Sequence, residues 1–308
     1  MKNHLKLWVM LLGIIFIVAG CGANDSASEK EKDTNADKVK AAEANKPEDD
    51  HRIIATTVAI TEIMDKLDID LVGIPTSYKE LPERYKDATE IGSPMSPDME
   101  LMLSLKPTDI LSVTTLLDNM DVDFSNLDIK TQYLDFTSVD HMLNEIEKVG
   151  KEYNRTEQAN QLITQYEDKM AEIEARVAGK DAPSVLILMG IPGSYIVGTE
   201  HSYIGDLVKR AGGVNVVTDR DEEYISGNTE YLQQLKPDII LRAAHGMPEE
   251  VVKMFEKEFK ENDVWKHFKA VQNNRVYDLE ETRFGTTANL AAIEALDELV
   301  DILYPDEK

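Results

Sequence analysis

Apolar positions along the chain follow two rhythms. Runs such as Ile53-Ile54-Ala55-Thr56-Thr57 and Val185-Leu186-Ile187-Leu188-Met189 are continuously apolar or β-branched, as expected of strands buried on both faces. Between them, stretches beginning at Ile63 and Ile204 carry apolar residues at helical spacing and lead into further strands, Leu71-Val72-Gly73-Ile74 and a run ending at Val217. Gly212-Gly213 marks a helix stop before the second of these. Strands alternating with helices predict parallel sheets with helical cover.

An internal repeat organises this pattern. Leu105-Lys106-Pro107-Thr108-Asp109-Ile110-Leu111 recurs without gaps as Leu235-Lys236-Pro237-Asp238-Ile239-Ile240-Leu241, each an apolar helix end, a proline stop and a short strand. A glutamate stands at the same offset before each copy, Glu100 and Glu230. From Val139 to about Val177, apolar residues including Met142, Ile146, Leu162, Tyr166 and Ile173 again fall at helical spacing, with Asn154-Arg155-Thr156 as a candidate interruption. A helix of more than twenty residues spans ~30 Å, enough to run the height of two lobes and hold them at a nearly fixed angle. The expected fold class is α/β: two Rossmann-like lobes with parallel-type sheets, residues 52–138 and 181–308, joined by a single long α-helix within 139–180.

The N-terminus changes the picture of where the chain works. Lys2, His4 and Lys6 precede an apolar run from Leu7 to Ala19, shorter than the ~20 residues that span a bilayer, so residues 1–20 read as a secretory signal peptide. The run closes on Val18-Ala19-Gly20-Cys21, which resembles the lipobox of bacterial lipoproteins, where the cysteine is diacylated and becomes the new N-terminus. The competing reading is an uncleaved membrane anchor with an incidental cysteine. Two acyl chains give a stable anchor. Residues 21–51 are nearly devoid of large apolar side chains and read as a flexible acidic tether. Cys21 is the only cysteine, so the exported domain is built without disulfides. A net charge of −25 over 308 residues argues against nucleic acid as a partner.

Lipobox, acidic tether, paired α/β lobes, connecting helix and two Leu-Lys-Pro copies together resemble the bacterial solute-binding lipoproteins of ABC importers for siderophores, haem and cobalamin. The resemblance covers nearly the whole chain. It implies a class III solute-binding protein fold, a lipid-anchored monomer on the outer face of the cytoplasmic membrane, and an ABC permease with its ATPase as partners. In that class one glutamate per lobe docks against permease arginines, a role that falls on Glu100 and Glu230. Both positions also suit a plain first-turn carboxylate.

Ligands of such folds sit outside the carboxyl ends of the strands, so the loops after strands hold the candidates. Gly92-Ser93-Pro94-Met95-Ser96-Pro97-Asp98 places Met95 between two prolines that favour extended backbone, and Ser96 or Asp98 can cap the next helix. Arg242-Ala243-Ala244-His245-Gly246-Met247-Pro248 places His245 between a strand and a helix opening at Pro248. A thioether and an imidazole on opposite lobes suit the two axial positions of haem iron. Zinc would need more ligands, and none of His51, His141, His201 or His267 pairs closely in sequence with His245. A lone methionine is also common core filler.

The stretches Gly92 to Asp98, Leu186 to Tyr195, Ser202 to Lys209, Ile239 to Met254 and Trp265 to Val271 are similar to the haem-binding members of the class. There the iron is held by a methionine and a histidine, which fall on Met95 and His245. The resemblance implies haem (iron protoporphyrin IX) as the ligand, with cell-surface haem donors upstream. Thr56, Thr57, Val58 and Ala59 at the first strand-to-helix turn, and Ser77, Tyr78 and Lys79 after the second strand, are the expected propionate or pocket contacts, with Tyr195 and Arg283 as further crevice candidates. The alternative within the fold is a siderophore or cobalamin receptor. No nucleophile elbow or phosphate-cradling loop is present in the sequence, and a metal-dependent hydrolase built on His245 lacks visible second and third ligands, so catalysis is not expected.

Overall fold

The computed structural model describes residues 51–117, 124 and 128–305. The segments expected to be signal peptide and tether, Cys21 included, lie outside them except for His51. From the first half come β1 (Ile53–Ala55), α1 (Val58–Lys66), β2 (Gly73–Ile74), β3 (Thr89–Glu90), the hairpin β4 (Gly92–Ser93) and β5 (Ser96–Pro97), α2 (Met99–Ser104), β6 (Asp109–Val113) and β7 (Lys130–Leu134). Two helices follow, α3 (Val139–Glu152) and α4 (Thr156–Val177). The second half contains β8 (Ser184–Ile191), β9 (Ser194–Gly198), α5 (Tyr203–Arg210), β10 (Val214–Asn215), β11 (Tyr224–Ser226), α6 (Thr229–Leu232), β12 (Ile239–Ala244), α7 (Pro248–Glu261), α8 (Lys269–Gln272), β13 (Val276–Asp278) and α9 (Ala292–Leu303).

The first sheet is five-stranded and wholly parallel, in the order β3-β2-β1-β6-β7. The second is six-stranded, with a parallel centre of β10, β8, β12 and β13 and two antiparallel strands, β9 and β11, on one side. The antiparallel pair arises at Pro192-Gly193, where Gly193 takes a positive φ of 85° and returns the chain alongside β8. Alternation along the central strands feeds both faces. Ile53 and Ala55 pack into one core cluster and Ile54 into another, while Val185, Ile187 and Met189 separate from Leu186 and Leu188 in the same way.

The segment expected to hold one connecting helix holds two. Asn154 sits at φ 57°, a left-handed conformation in which the helix cannot continue, and the Arg155 N–H turns back to the Gly150 carbonyl at 2.6 Å. α4 is the long element: its 22 residues span about 33 Å. At its start Arg155 Nε donates to the Asp68 carbonyl beside the first sheet, and near its end Arg176 pairs with Asp297 on α9. Tyr166, between them, donates its hydroxyl to the Leu290 carbonyl at 2.6 Å. A single core cluster runs from Ile53 and Leu111 through both helices to Val185 and Leu299, so the two sheets share buried apolar contacts.

Candidate functional site

The carboxyl ends of β1, β6, β12 and β13 open onto one crevice of about 550 Å³, within the ~300–1,000 Å³ typical of small-molecule sites. Thr57, Val58 and Ala59 line it after β1, Lys79 after β2, and His245 after β12. Thr57 is the N-cap of α1, its Oγ1 accepting from the Ile60 N–H at 3.4 Å. The N–H groups of Val58 and Ala59, in the first turn, have no acceptor within the helix and lie at the positive end of its dipole, in residues that line the crevice.

His245 is fixed by its backbone. Its N–H donates to the Gly190 carbonyl at 2.8 Å, and the two residues after it, Gly246 (φ 71°) and Met247 (φ 48°), are both left-handed, bending the chain away into α7. A left-handed methionine is uncommon and marks a bend held by its surroundings. The imidazole is reached by solvent yet crowded by the crevice walls; desolvation, reinforced by the nearby Lys79 cation, lowers its pKa against the opposing pull of Glu281. The ring is therefore neutral at neutral pH, the form that donates to a metal.

Met95 lies at the tip of the β4–β5 hairpin, 44% exposed. The flanking prolines frame a tight turn instead of an extended strand: Gly92, at φ 96°, carries the chain into it, and the Asp98 N–H closes onto the Ile91 carbonyl at 2.7 Å. Pro94 lines the crevice, and Met95, the next residue, is not among its lining side chains. Asp98 caps α2 through the Leu101 N–H at 3.0 Å, leaving Ser96 in β5.

Several expected contacts are placed elsewhere. Thr56 is fully buried, its hydroxyl donating to Ser112 Oγ at 3.0 Å between adjacent strands, because it continues the inward face of β1. Ser77 does not line the crevice; its hydroxyl accepts the Lys79 N–H at 2.9 Å and shapes the loop. Tyr195 packs its ring against Phe255 and Trp265, with centroids 6.0 and 6.1 Å away, on the far side of the second sheet. Arg283 is held by Glu280 and Glu298 and does not line the crevice. Glu100 and Glu230 are both exposed in the first turns of α2 and α6.

The sequence pattern does not single out Glu281 or Glu62. Glu281 is 8% exposed, and its Oε1 accepts from the Tyr78 hydroxyl at 2.6 Å and the Gly246 N–H at 3.0 Å. Its other oxygen, Oε2, is buried without a partner. Burial and this carboxylate push the Tyr78 phenol above its ordinary range. The only cue in the sequence is position: Glu281 follows the short strand β13, whose three residues carry too little pattern to announce it. Glu62, on the inner face of α1, has its pKa raised by burial in the crevice wall. Among the described residues, no cluster of three His, Cys, Asp or Glu side chains gathers to hold a bare metal ion.

Two sheets joined by α3 and α4, with one crevice at their carboxyl ends, define a bilobal solute-binding protein. The sequence matches the family model for periplasmic binding proteins over residues 53–282, and the chain belongs to that family. It is 55% identical over 258 residues to the Staphylococcus aureus high-affinity heme uptake system protein IsdE, covering 83% of this chain and 88% of that one. The crystal structure of S. aureus IsdE complexed with heme superposes with a TM-score of 0.80 at 55% identity, covering 82% of this chain and 99% of that one. An ABC transporter substrate-binding protein from Listeria monocytogenes is 57% identical, with a TM-score of 0.79 over 83% of this chain and 99% of that one.

Proposed function

We propose that this protein is a haem receptor of an ABC importer, anchored through a diacylated Cys21 to the outer face of the cytoplasmic membrane. It binds one haem in the crevice, takes it from cell-surface donors as a monomer, and passes it to the permease and its ATPase without catalysing a reaction. Met95 and His245 are the axial ligands, one from each lobe. The observation that carries this reading is an imidazole fixed on the wall of a crevice that Pro94 also lines, with the exposed Met95 thioether next in the chain, in a protein 55% identical to a heme uptake protein. The residues around them fit a planar, dianionic porphyrin: free N–H groups at the start of α1 and the Lys79 ammonium suit the propionates, while Val58, Ala59, Val113 and Leu116 offer apolar contact. Glu100 and Glu230 dock the loaded receptor on the permease.

Titrating the protein with haemin should give a low-spin, six-coordinate absorption spectrum. His245→Ala should abolish it or convert it to five-coordinate, and Met95→Ala should weaken binding less, because a thioether is the poorer donor to ferric iron. An unchanged spectrum in His245→Ala would remove the ligand assignment, and preferential binding of a ferric siderophore or cobalamin would replace haem altogether.

A further inference from the structure

The Tyr78–Glu281 bond crosses the crevice. Tyr78 belongs to the loop after β2 of the first sheet, and Glu281 to the loop after β13 of the second. Both line the crevice and also an adjoining cavity of about 700 Å³ between α7 and the ends of β12 and β13, so the pair forms the partition between the two spaces. Tyr78 is 70% exposed, so its ring gains little from packing, and the 2.6 Å hydrogen bond of its hydroxyl to a carboxylate is what holds it across the opening. Glu281 is itself anchored: the same Oε1 accepts the Gly246 N–H in the bend that follows His245. Its second oxygen is buried and has no partner, so an acceptor stands beside the link.

We propose that Tyr78 and Glu281 form a cross-crevice link that an incoming ligand must exchange, with Glu281 as the positioning residue, so that the pair slows ligand uptake and leaves the rate of release unchanged. The inference rests on the crevice being the ligand site, and not on the ligand being haem. A bond that ligand must displace on entry raises the barrier to association without adding to the contacts that slow release. Glu281 keeps the Gly246 N–H when Tyr78 swings away, so the histidine bend survives the exchange.

Stopped-flow mixing with haemin tests the link. Tyr78→Phe keeps the ring and removes the hydroxyl, and should speed association by about tenfold, the worth of one hydrogen bond to a charged group, with dissociation unchanged. Glu281→Gln, which weakens the same bond, should move association in the same direction, and the double variant should add little to Tyr78→Phe alone. Faster dissociation with unchanged association in Tyr78→Phe would overturn the proposal, since it would place the hydroxyl on the bound ligand. A second measurement needs no haem. Spin labels at Glu80→Cys and Lys257→Cys, in the full chain carrying Cys21→Ser, should report a broader distance distribution between the Tyr78 loop and α7 in Tyr78→Phe than in the parent. An identical distribution would show that the bond does not hold the crevice and would equally overturn the link, while failure of haemin to bind the parent protein would count against the haem reading alone.

Discussion

Adjacent threonines show how little separates a site residue from a structural one. Thr56 and Thr57 are chemically alike, and side-chain alternation at the end of β1 sends the first into the sheet and the second to the cap of α1. Thr56→Val keeps shape and strand preference and removes one buried hydrogen bond, so it should cost about 1 kcal/mol of stability in a denaturant titration and leave haemin affinity intact. A loss of affinity at unchanged stability would return Thr56 to the ligand site. The same limit explains other displaced residues. Tyr195 was a crevice candidate, yet the aromatic cluster of Phe255 and Trp265 claims its ring. Arg283 is a cation in a strongly acidic chain, and local carboxylates take it before a ligand does. The loop positions of His245 and Met95 were legible from flanking strand and proline signals, and of the two only His245 lines the crevice. Glu281 was not, because its importance comes from Tyr78, 203 positions away.

At the scale of elements, the repeat of Leu-Lys-Pro segments carried most of the readable information. Each copy does lead from a short helix into a central strand, α2 into β6 and α6 into β12. Lys106, at φ 51°, shows the turn the first copy requires before its proline. The antiparallel β9 was hidden, since an apolar run that turns at Pro192-Gly193 reads equally well as a strand that simply ends. The junction of α3 and α4 was legible in outline, and its packing was not. Gly150 on α3 faces α4 so closely that a Cβ there would stand 2.4 Å from the Cβ of Ala159 and 3.1 Å from the Arg155 carbonyl oxygen. Gly150→Ala should therefore destabilise the protein, by about 1 kcal/mol or more, although alanine is the better helix former by a similar amount. Thermal unfolding decides between the two effects. A rise in Tm would mean that the helices slide apart freely and that their contact does not set the lobe geometry.

For the whole molecule, the question is how a permease would find one orientation on a chain with a net charge of −25. Net charge speeds encounter and cannot supply register; register needs particular carboxylates at a fixed separation. The docking proposed for Glu100 and Glu230 would meet that need, since they occupy matching first turns, one beside each sheet, in lobes held by a shared core and the length of α4. The competing account is that they only complement helix dipoles, an effect worth ~0.3–1 kcal/mol each. Glu157, exposed in the first turn of α4, has that role without a counterpart in the repeat, and separates the accounts. Reversal to lysine at any of the three should lower stability slightly and spare the haemin spectrum. Only Glu100→Lys and Glu230→Lys should impair haem uptake by cells carrying the permease, with the double variant falling further than either single one because two tethered contacts act together. Receptor binding to permease vesicles should also weaken as salt is raised. Equal impairment by Glu157→Lys would reduce both glutamates to helix-terminal charges, and loss of haemin binding in Glu100→Lys or Glu230→Lys would move them from the docking face to the crevice.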